Sequence, residues 1–261
     1  NGIAVSVADA RQYKPRIKGN SLGAFVIWSD TRYNTQTPAL NDIFMQKLTI
    51  EDGLAWDDAV EVSSEQTGDQ TQARLTTDNS GGVFISWMDD RNEENFDDIY
   101  MQHFDGDGVA TFETDGISIS SAQGLQMNPL VRTDGDNGAF LIWGDFRSGS
   151  LSIYVQRITV DNNLSFDQNG QVYVSGLGGN TISEYSYKPG ALYMGDDEAL
   201  LYWVDQRSGV FGQYNFGQKI FSGWNGDYIN GTKLSENNRA DFPIAENLNE
   251  NIIVGFPDAE G

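Results

Sequence analysis

Trp28-Ser29-Asp30-Thr31-Arg32 returns as Trp87-Met88-Asp89-Asp90-Arg91, as Trp143-Gly144-Asp145-Phe146-Arg147 and as Trp203-Val204-Asp205-Gln206-Arg207. Successive tryptophans stand 59, 56 and 60 residues apart, and a degenerate copy, Phe256-Pro257-Asp258-Ala259-Glu260, follows 53 residues later. An apolar run precedes each copy, at 24–27, 83–85, 139–142, 199–202 and 252–254. Self-similarity at a fixed period marks a repeat architecture, so this recurrence governs every later inference.

Working outward, an aromatic-x-Gln-basic-apolar pattern follows the first four copies, at 44–48, 100–104, 154–158 and 216–220. A turn rich in Asp, Asn and Gly comes next, then a short alternating strand ending at Ser63, Ser120, Ser175 or Ser235. The opening residues Ile3-Ala4-Val5-Ser6 match that last strand, and segments around Pro15, Gln72, Pro129, Pro189 and Pro243 supply one more strand before each apolar run. Each unit of 55–60 residues therefore reads as four short strands with no helical periodicity. Such a unit cannot bury both faces alone; stacked radially it becomes a blade of a β-propeller. The tryptophans should then lie in the layers between blades, where each large ring buries much apolar surface.

The expected fold is thus an all-β propeller of four-stranded antiparallel blades, with about five blades in this stretch. One domain, 1–261, divides into units near 7–63, 64–120, 121–175 and 176–235, plus a partial unit 236–261 closed by strand 1–6. The fifth unit lacks its third strand, so the ring is expected to be incomplete or part of a larger one. The start, Asn1-Gly2-Ile3, has neither an initiator Met nor a signal peptide, which suggests a processed form or a fragment.

Composition narrows the partners. Sixteen Lys+Arg against 38 Asp+Glu leave a formal charge of −22, which argues against nucleic acid and anionic membranes as partners. Cysteine is absent, so no disulfide, thiolate metal site or Cys nucleophile is available. No apolar run approaches the length of a membrane span, so direct membrane insertion is not expected.

The repeated polar residues occupy symmetric places, whereas catalytic acids must differ in environment to take different roles. Asp30, Asp89, Asp145 and Asp205, with Arg32, Arg91, Arg147 and Arg207, are therefore expected to build a turn by capping backbone N–H groups or pairing with each other. His103 is the only histidine; it holds the place of Lys47, Arg157 and Lys219, an expected outward-facing basic position. No cofactor is implied. Calcium is the one ion worth considering, at Asp105 and Asp107 or Asp134 and Asp136, although Asp-Gly clusters are also ordinary hairpin turns. Features that break the repeat carry more functional weight: the long turn 33–41, the stretch 180–187 with Tyr185 and Tyr187, and the turn 221–228 with Trp224 and Tyr228. Exposed aromatic side chains on loops suit sugar stacking or protein contact.

The unit Gly-[Ala/Val]-Phe-[apolar]-x-Trp-x-Asp-x-Arg, followed by Ile-[Tyr/Phe]-x-Gln-[basic]-[apolar], resembles repeats of large secreted proteins in Bacteroidetes-type bacteria, many exported by the type IX route. Residues 138–158 are the clearest copy and 82–104 the next; Asn215 replaces the Ile in the fourth unit and Glu260 the Arg in the fifth. The resemblance implies a β-propeller in an extracellular or cell-surface protein, within a longer chain or assembly. It brings no catalytic residue with it.

The expected function is accordingly non-catalytic: a protein- or glycan-binding module, or a structural spacer, through Trp224, Tyr228, Tyr185 and Tyr187. The alternative is a propeller-type glycoside hydrolase or lyase with axial carboxylates at Asp196, Asp197, Asp241 and Glu246. A sialidase is disfavoured, because no Ser-x-Asp-x-Gly-x-x-Trp turn occurs.

Overall fold

The computed structural model describes residues 2–33, 40–51, 53–63, 67–92 and 96–177, and beyond them the strand backbones 190–195, 198–205, 214–221, 232–233, 244–248 and 251–255. Every regular element among them is a strand. The first sheet contains β1 (Gln12–Asn20), β2 (Gly23–Asp30), β3 (Asp42–Thr49), the short β4 (Gly53–Leu54) and β5 (Val60–Ser63). The second runs β6 (Gln70–Thr77), β7 (Val83–Asp89), β8 (Asp98–Phe104), β9 (Ile117–Ser120), and the third β10 (Gln126–Thr133), β11 (Gly138–Asp145), β12 (Ser152–Thr159), β13 (Gln171–Val174). The fourth is β14 (Gly190–Gly195), β15 (Glu198–Asp205), β16 (Tyr214–Phe221), β17 (Thr232–Lys233); β18 (Ile244–Leu248) and β19 (Asn251–Gly255) form a two-stranded fifth. All pairings are antiparallel, as the sequence period predicts.

The first strands of successive sheets neighbour one another in the order β1, β6, β10, β14, β18, which makes them the innermost strands of a propeller. Each blade then has two distinct ends. At the crossover end, strand two turns into strand three and the chain passes to the next blade. At the hairpin end lie the turns between strands one and two and between three and four.

The tryptophans fill the layers between blades. Trp87, fully buried, packs with Phe25, Ile27 and Met45 of the first blade, and Trp143 with Phe84, Met88 and Met101 of the second. Gly116 and Gly170 share one local reason: both have positive φ (80° and 74°), and a Cβ at either would strike the indole of Trp87 or Trp143. Only glycine meets both demands.

The innermost strands share a bulge. Pairing slips between Tyr13 and Arg16, between Thr71 and Arg74, and between Met127 and Leu130. At that slip Lys14, Gln72 and Asn128 adopt φ of 52–54°, a left-handed conformation uncommon outside glycine. The register places Ala73, rather than Gln72, at the position of Pro15 and Pro129. Proline is tolerated there because the bulge leaves a residue outside the ladder.

One strand expectation is corrected: residues 3–6 form no strand. A fourth strand pairs with a third, and the two-stranded β18–β19 sheet offers none among the described residues. On the face of β1 equivalent to the one where Leu75 and Val131 pack against the preceding blade, Ile17 is 64% exposed.

Candidate functional site

The recurring Trp, Asp and Arg build one clasp in each of the first three blades. The indole N–H of Trp28, Trp87 or Trp143 donates to the Asp two residues on, at 2.8–3.0 Å. The same carboxylate accepts the backbone N–H and guanidinium of Arg32, Arg91 or Arg147, the ion pair closing to 2.5–2.6 Å. Each guanidinium also lies 3.9–4.1 Å over the ring of Phe44, Tyr100 or Tyr154 and reaches Ser6, Ser63 or Ser120 on the preceding unit. Burial works to raise the Asp30 carboxyl, but hydrogen bonds from Arg32 and Trp28 outweigh it and hold the group below its usual range. Every oxygen is engaged, so this assembly joins blades. Trp203 and Asp205 lie in β15 with side chains beyond description, and Arg207 lies outside the described residues.

At the hairpin end, the expectation for His103 is corrected. The ring is 3% exposed, not outward-facing: Nε2 lies 2.9 Å from Asp78 Oδ2 and Nδ1 2.7 Å from Thr111 Oγ1. In the third blade Arg157 occupies the same place and pairs with Asp134 at 2.7 Å. Burial raises the Asp78 carboxyl, but His103 and the N–H groups of Gly82 and Ser80 bring it down to about 2. Asp134 accepts Asp136 N–H and Gly138 N–H on one oxygen and Arg157 on the other; Asp105 accepts Asp107 N–H and Val109 N–H. These are hairpin turns closed by their own carboxylates, and a cation at Asp134 would compete with a guanidinium. Among the described residues no three His, Asp or Glu side chains are grouped to hold a metal ion.

The crossover end is where the repeat fails. Register equates Asp42, Asp98 and Ser152, each opposite the clasp aspartate of its blade. The residues before them are Asn41, Asp97 and Leu151; the residue preceding each next innermost strand is Asp69 in the second blade and Leu125 in the third. The crossover of the first two blades is therefore acidic, with Asp69 at the first seam and Asp97 at the second, while their equivalents one blade on, Leu125 and Leu151, are apolar. Asn41 fixes Asp69, donating its backbone N–H (2.8 Å) and its side-chain N–H (2.5 Å) to one carboxylate oxygen, while the Tyr13 hydroxyl of β1 donates to Asn41 Oδ1. The Asp69 N–H is held in turn by Asp90.

Crowding of carboxylates has the expected electrostatic consequence. Burial, then the charges of Glu61, Asp30 and Asp69, push Asp42 up to about 7. Burial, then Asp90 and Asp69, push the half-buried Asp97 up to about 6. Burial also raises Asp98 and Glu61. Two protonatable carboxyls thus flank Asp69, whose position two hydrogen bonds define. A proton donor beside an oriented carboxylate is the equipment of acid–base chemistry at an acetal carbon.

Sequence reading missed this site, although the signal is present once the crossovers are aligned: Asn-Asp, Asp-Asp, Leu-Ser at 41–42, 97–98 and 151–152. Asp196, Asp197, Asp241, Trp224, Tyr228, Tyr185 and Tyr187 lie outside the described residues, and Glu246 is placed only as part of β18.

No family profile matches the chain, and no curated protein sequence matches it. Among solved structures, an endo-arabinase from Bacteroides thetaiotaomicron VPI-5482 is similar over 100% of this chain and 94% of its own, with a TM-score of 0.50 and 14% identity. An α-L-arabinofuranosidase from Fusarium graminearum (TM-score 0.48, 14% identity, 86% and 67% covered) is also similar. So is a family 117 glycoside hydrolase from Zobellia galactanivorans (TM-score 0.47, 11% identity, 94% and 76%). At such identities the likeness is one of fold, a propeller. The expectation of a non-catalytic module or spacer is corrected: the propeller similar over the whole of this chain is an endo-arabinase, and unequally placed acids with raised carboxyls stand at the crossover end.

Proposed function

We propose that the chain is a propeller-type glycoside hydrolase whose chemistry is carried by the crossover end of the first two blades. The observation that carries the reading is the inequivalence of Asp97 and Asp69: one pushed up to about 6 by burial and its neighbours, the other held by Asn41, while the equivalent positions one blade on are Leu151 and Leu125. Asp97, the more accessible of the two strongly raised acids, donates its proton to the departing glycosidic oxygen as the carbon–oxygen bond breaks. Asp69 supplies the carboxylate that takes a proton from the attacking water, whose oxygen bonds to the anomeric carbon as the glycosidic oxygen leaves, and the charges of Asp90 and Asp69 favour the protonated form of Asp97. The endo-arabinase likeness supports an arabinose-containing polysaccharide as substrate, and such a polymer is met outside the cell, the location that the repeat implies.

The test is release of reducing ends from a panel of neutral and acidic polysaccharides. Asp97→Asn and Asp69→Asn should each lower the rate by about 10²–10⁴-fold, and Asp97→Asn should abolish the pH limb near 6. Unchanged rates in both variants, with activity lost in Glu246→Gln, would overturn the assignment in favour of an axial acid.

A further inference from the structure

The chain's few cations are not scattered. Among the described residues, Arg32, Arg91, Arg147 and Arg157 pair with aspartates, and Lys47 donates to the Gly106 carbonyl of the next blade at 2.6 Å. Within the first three blades every other described cation belongs to an innermost strand or the residue before it: Arg11, Lys14, Arg16 and Lys18 at β1, Arg74 on β6, and Arg132 on β10. Conversely β1, β6, β10 and β14 contain no Asp or Glu, Glu246 of β18 being the one acid on an innermost strand, in a chain where 38 of 261 residues are acidic. Register puts Arg16 level with Arg74, and Lys18 level with Arg132.

The bulge adds polar groups at one depth. Lys14, Gln72 and Asn128 share the left-handed conformation that re-aims a side chain out of the ladder. Asn128 is 7% exposed, and its side-chain nitrogen finds no acceptor among the described residues. A buried donor left unmatched costs free energy.

We infer that the innermost strands form a binding surface for an anionic saccharide, one bearing carboxylate or sulfate groups; this rests on the glycan-hydrolase reading for the class of ligand. Net charge opposes such a ligand at long range, but the Debye length is about 8 Å in physiological salt, so the cations of the inner strands dominate once it is seated. Lys14, Arg16 and Lys18 supply the exposed positive groups. The acids at the crossover mouth lie next to the same strand through Tyr13, so a polyanion held along the strand presents a linkage to Asp97 and Asp69.

Calorimetric titration of the full chain tests this with three probes of equal length: an oligogalacturonate, a sulfated galactan oligosaccharide and a neutral arabinan oligosaccharide. At least one anionic probe should bind at least about tenfold more tightly than the neutral one, with affinity falling as salt rises. Preference between the two tells carboxylate from sulfate. Lys14→Ala/Arg16→Ala/Lys18→Ala should remove the preference and flatten the salt dependence; these side chains are exposed, and an unchanged melting temperature verifies the fold. Equal affinity for the neutral probe, no salt dependence, or equal binding of a single-stranded DNA of the same charge would overturn the inference. Anionic probes that bind but are not cut would leave it standing and sink the hydrolase assignment, whereas a cleaved neutral glycan with no anionic binding does the reverse.

Discussion

Blades two and three are built on the same clasp and differ at both ends of it. Trp87, Asp89 and Arg91 superimpose in role on Trp143, Asp145 and Arg147, down to the serine each guanidinium reaches. Yet the crossover after the clasp reads Asp97-Asp98 in one and Leu151-Ser152 in the other, and the basic residue of strand three is His103 in one and Arg157 in the other. What repeats joins one blade to the next; what varies is free to carry function. A propeller separates those duties because every blade meets its neighbours through equivalent contacts, while only some blades need face a ligand.

The sharpest way to break the common part is Asp89→Ala, matched by Asp145→Ala. Either deletion leaves a buried indole N–H and a largely covered guanidinium without their carboxylate. A loss of about 3–5 kcal/mol is expected for removing one partner of such a pair. Chemical denaturation should show nearly the same loss in both blades. A large difference between them would mean that the clasp is not the shared unit of stability.

The clasp was legible in the sequence because identical residues at a fixed period are hard to arrange without identical structure. The interblade tryptophans followed from the same reasoning. The acidic crossover was not read, since Asp97 and Asp69 are common turn residues and reveal themselves only where Leu151 and Leu125 replace them at the same register. His103 was misplaced outward because its row of basic residues looks like a solvated edge. Its buried partner Asp78 sits 25 residues earlier, in a hairpin with its own evident use for a carboxylate.

The varying crossover can be tested by grafting one blade's residues into the other, Asp97→Leu with Asp98→Ser. Both carboxyls are raised in the folded state, Asp97 to about 6. The native protein therefore binds protons that the unfolded chain has released, and stability falls as pH climbs from the unfolded value near 4 through about 6. The graft removes that penalty, so it should stabilise on the order of 1–2 kcal/mol at pH 8 and have almost no effect at pH 4. Melting curves at the two pH values are the measurement. A gain of equal size at both would assign the effect to packing of the leucine instead.

The smallest change compares the two hairpin ends. His103→Arg gives blade two the Asp–Arg pair that blade three already has. The Asp78 carboxyl sits near 2, so its contribution is present above the unfolded value near 4 and is lost as pH falls through about 2. An arginine keeps that carboxylate partnered at every pH, and the glycine beside it, Gly82, corresponds to Gly138 beside Asp134, so the blade has a template for the exchange. Stability at pH 7 should move by less than about 1 kcal/mol. His103→Leu, which strands the buried carboxylate, should cost about 1–3 kcal/mol. If instead the arginine costs as much as the leucine, the imidazole is needed for its second bond, to Thr111 Oγ1. The open cleft of about 570 Å³ lined by Ser80, His103 and Thr111 would then owe its shape to the ring and not to its charge.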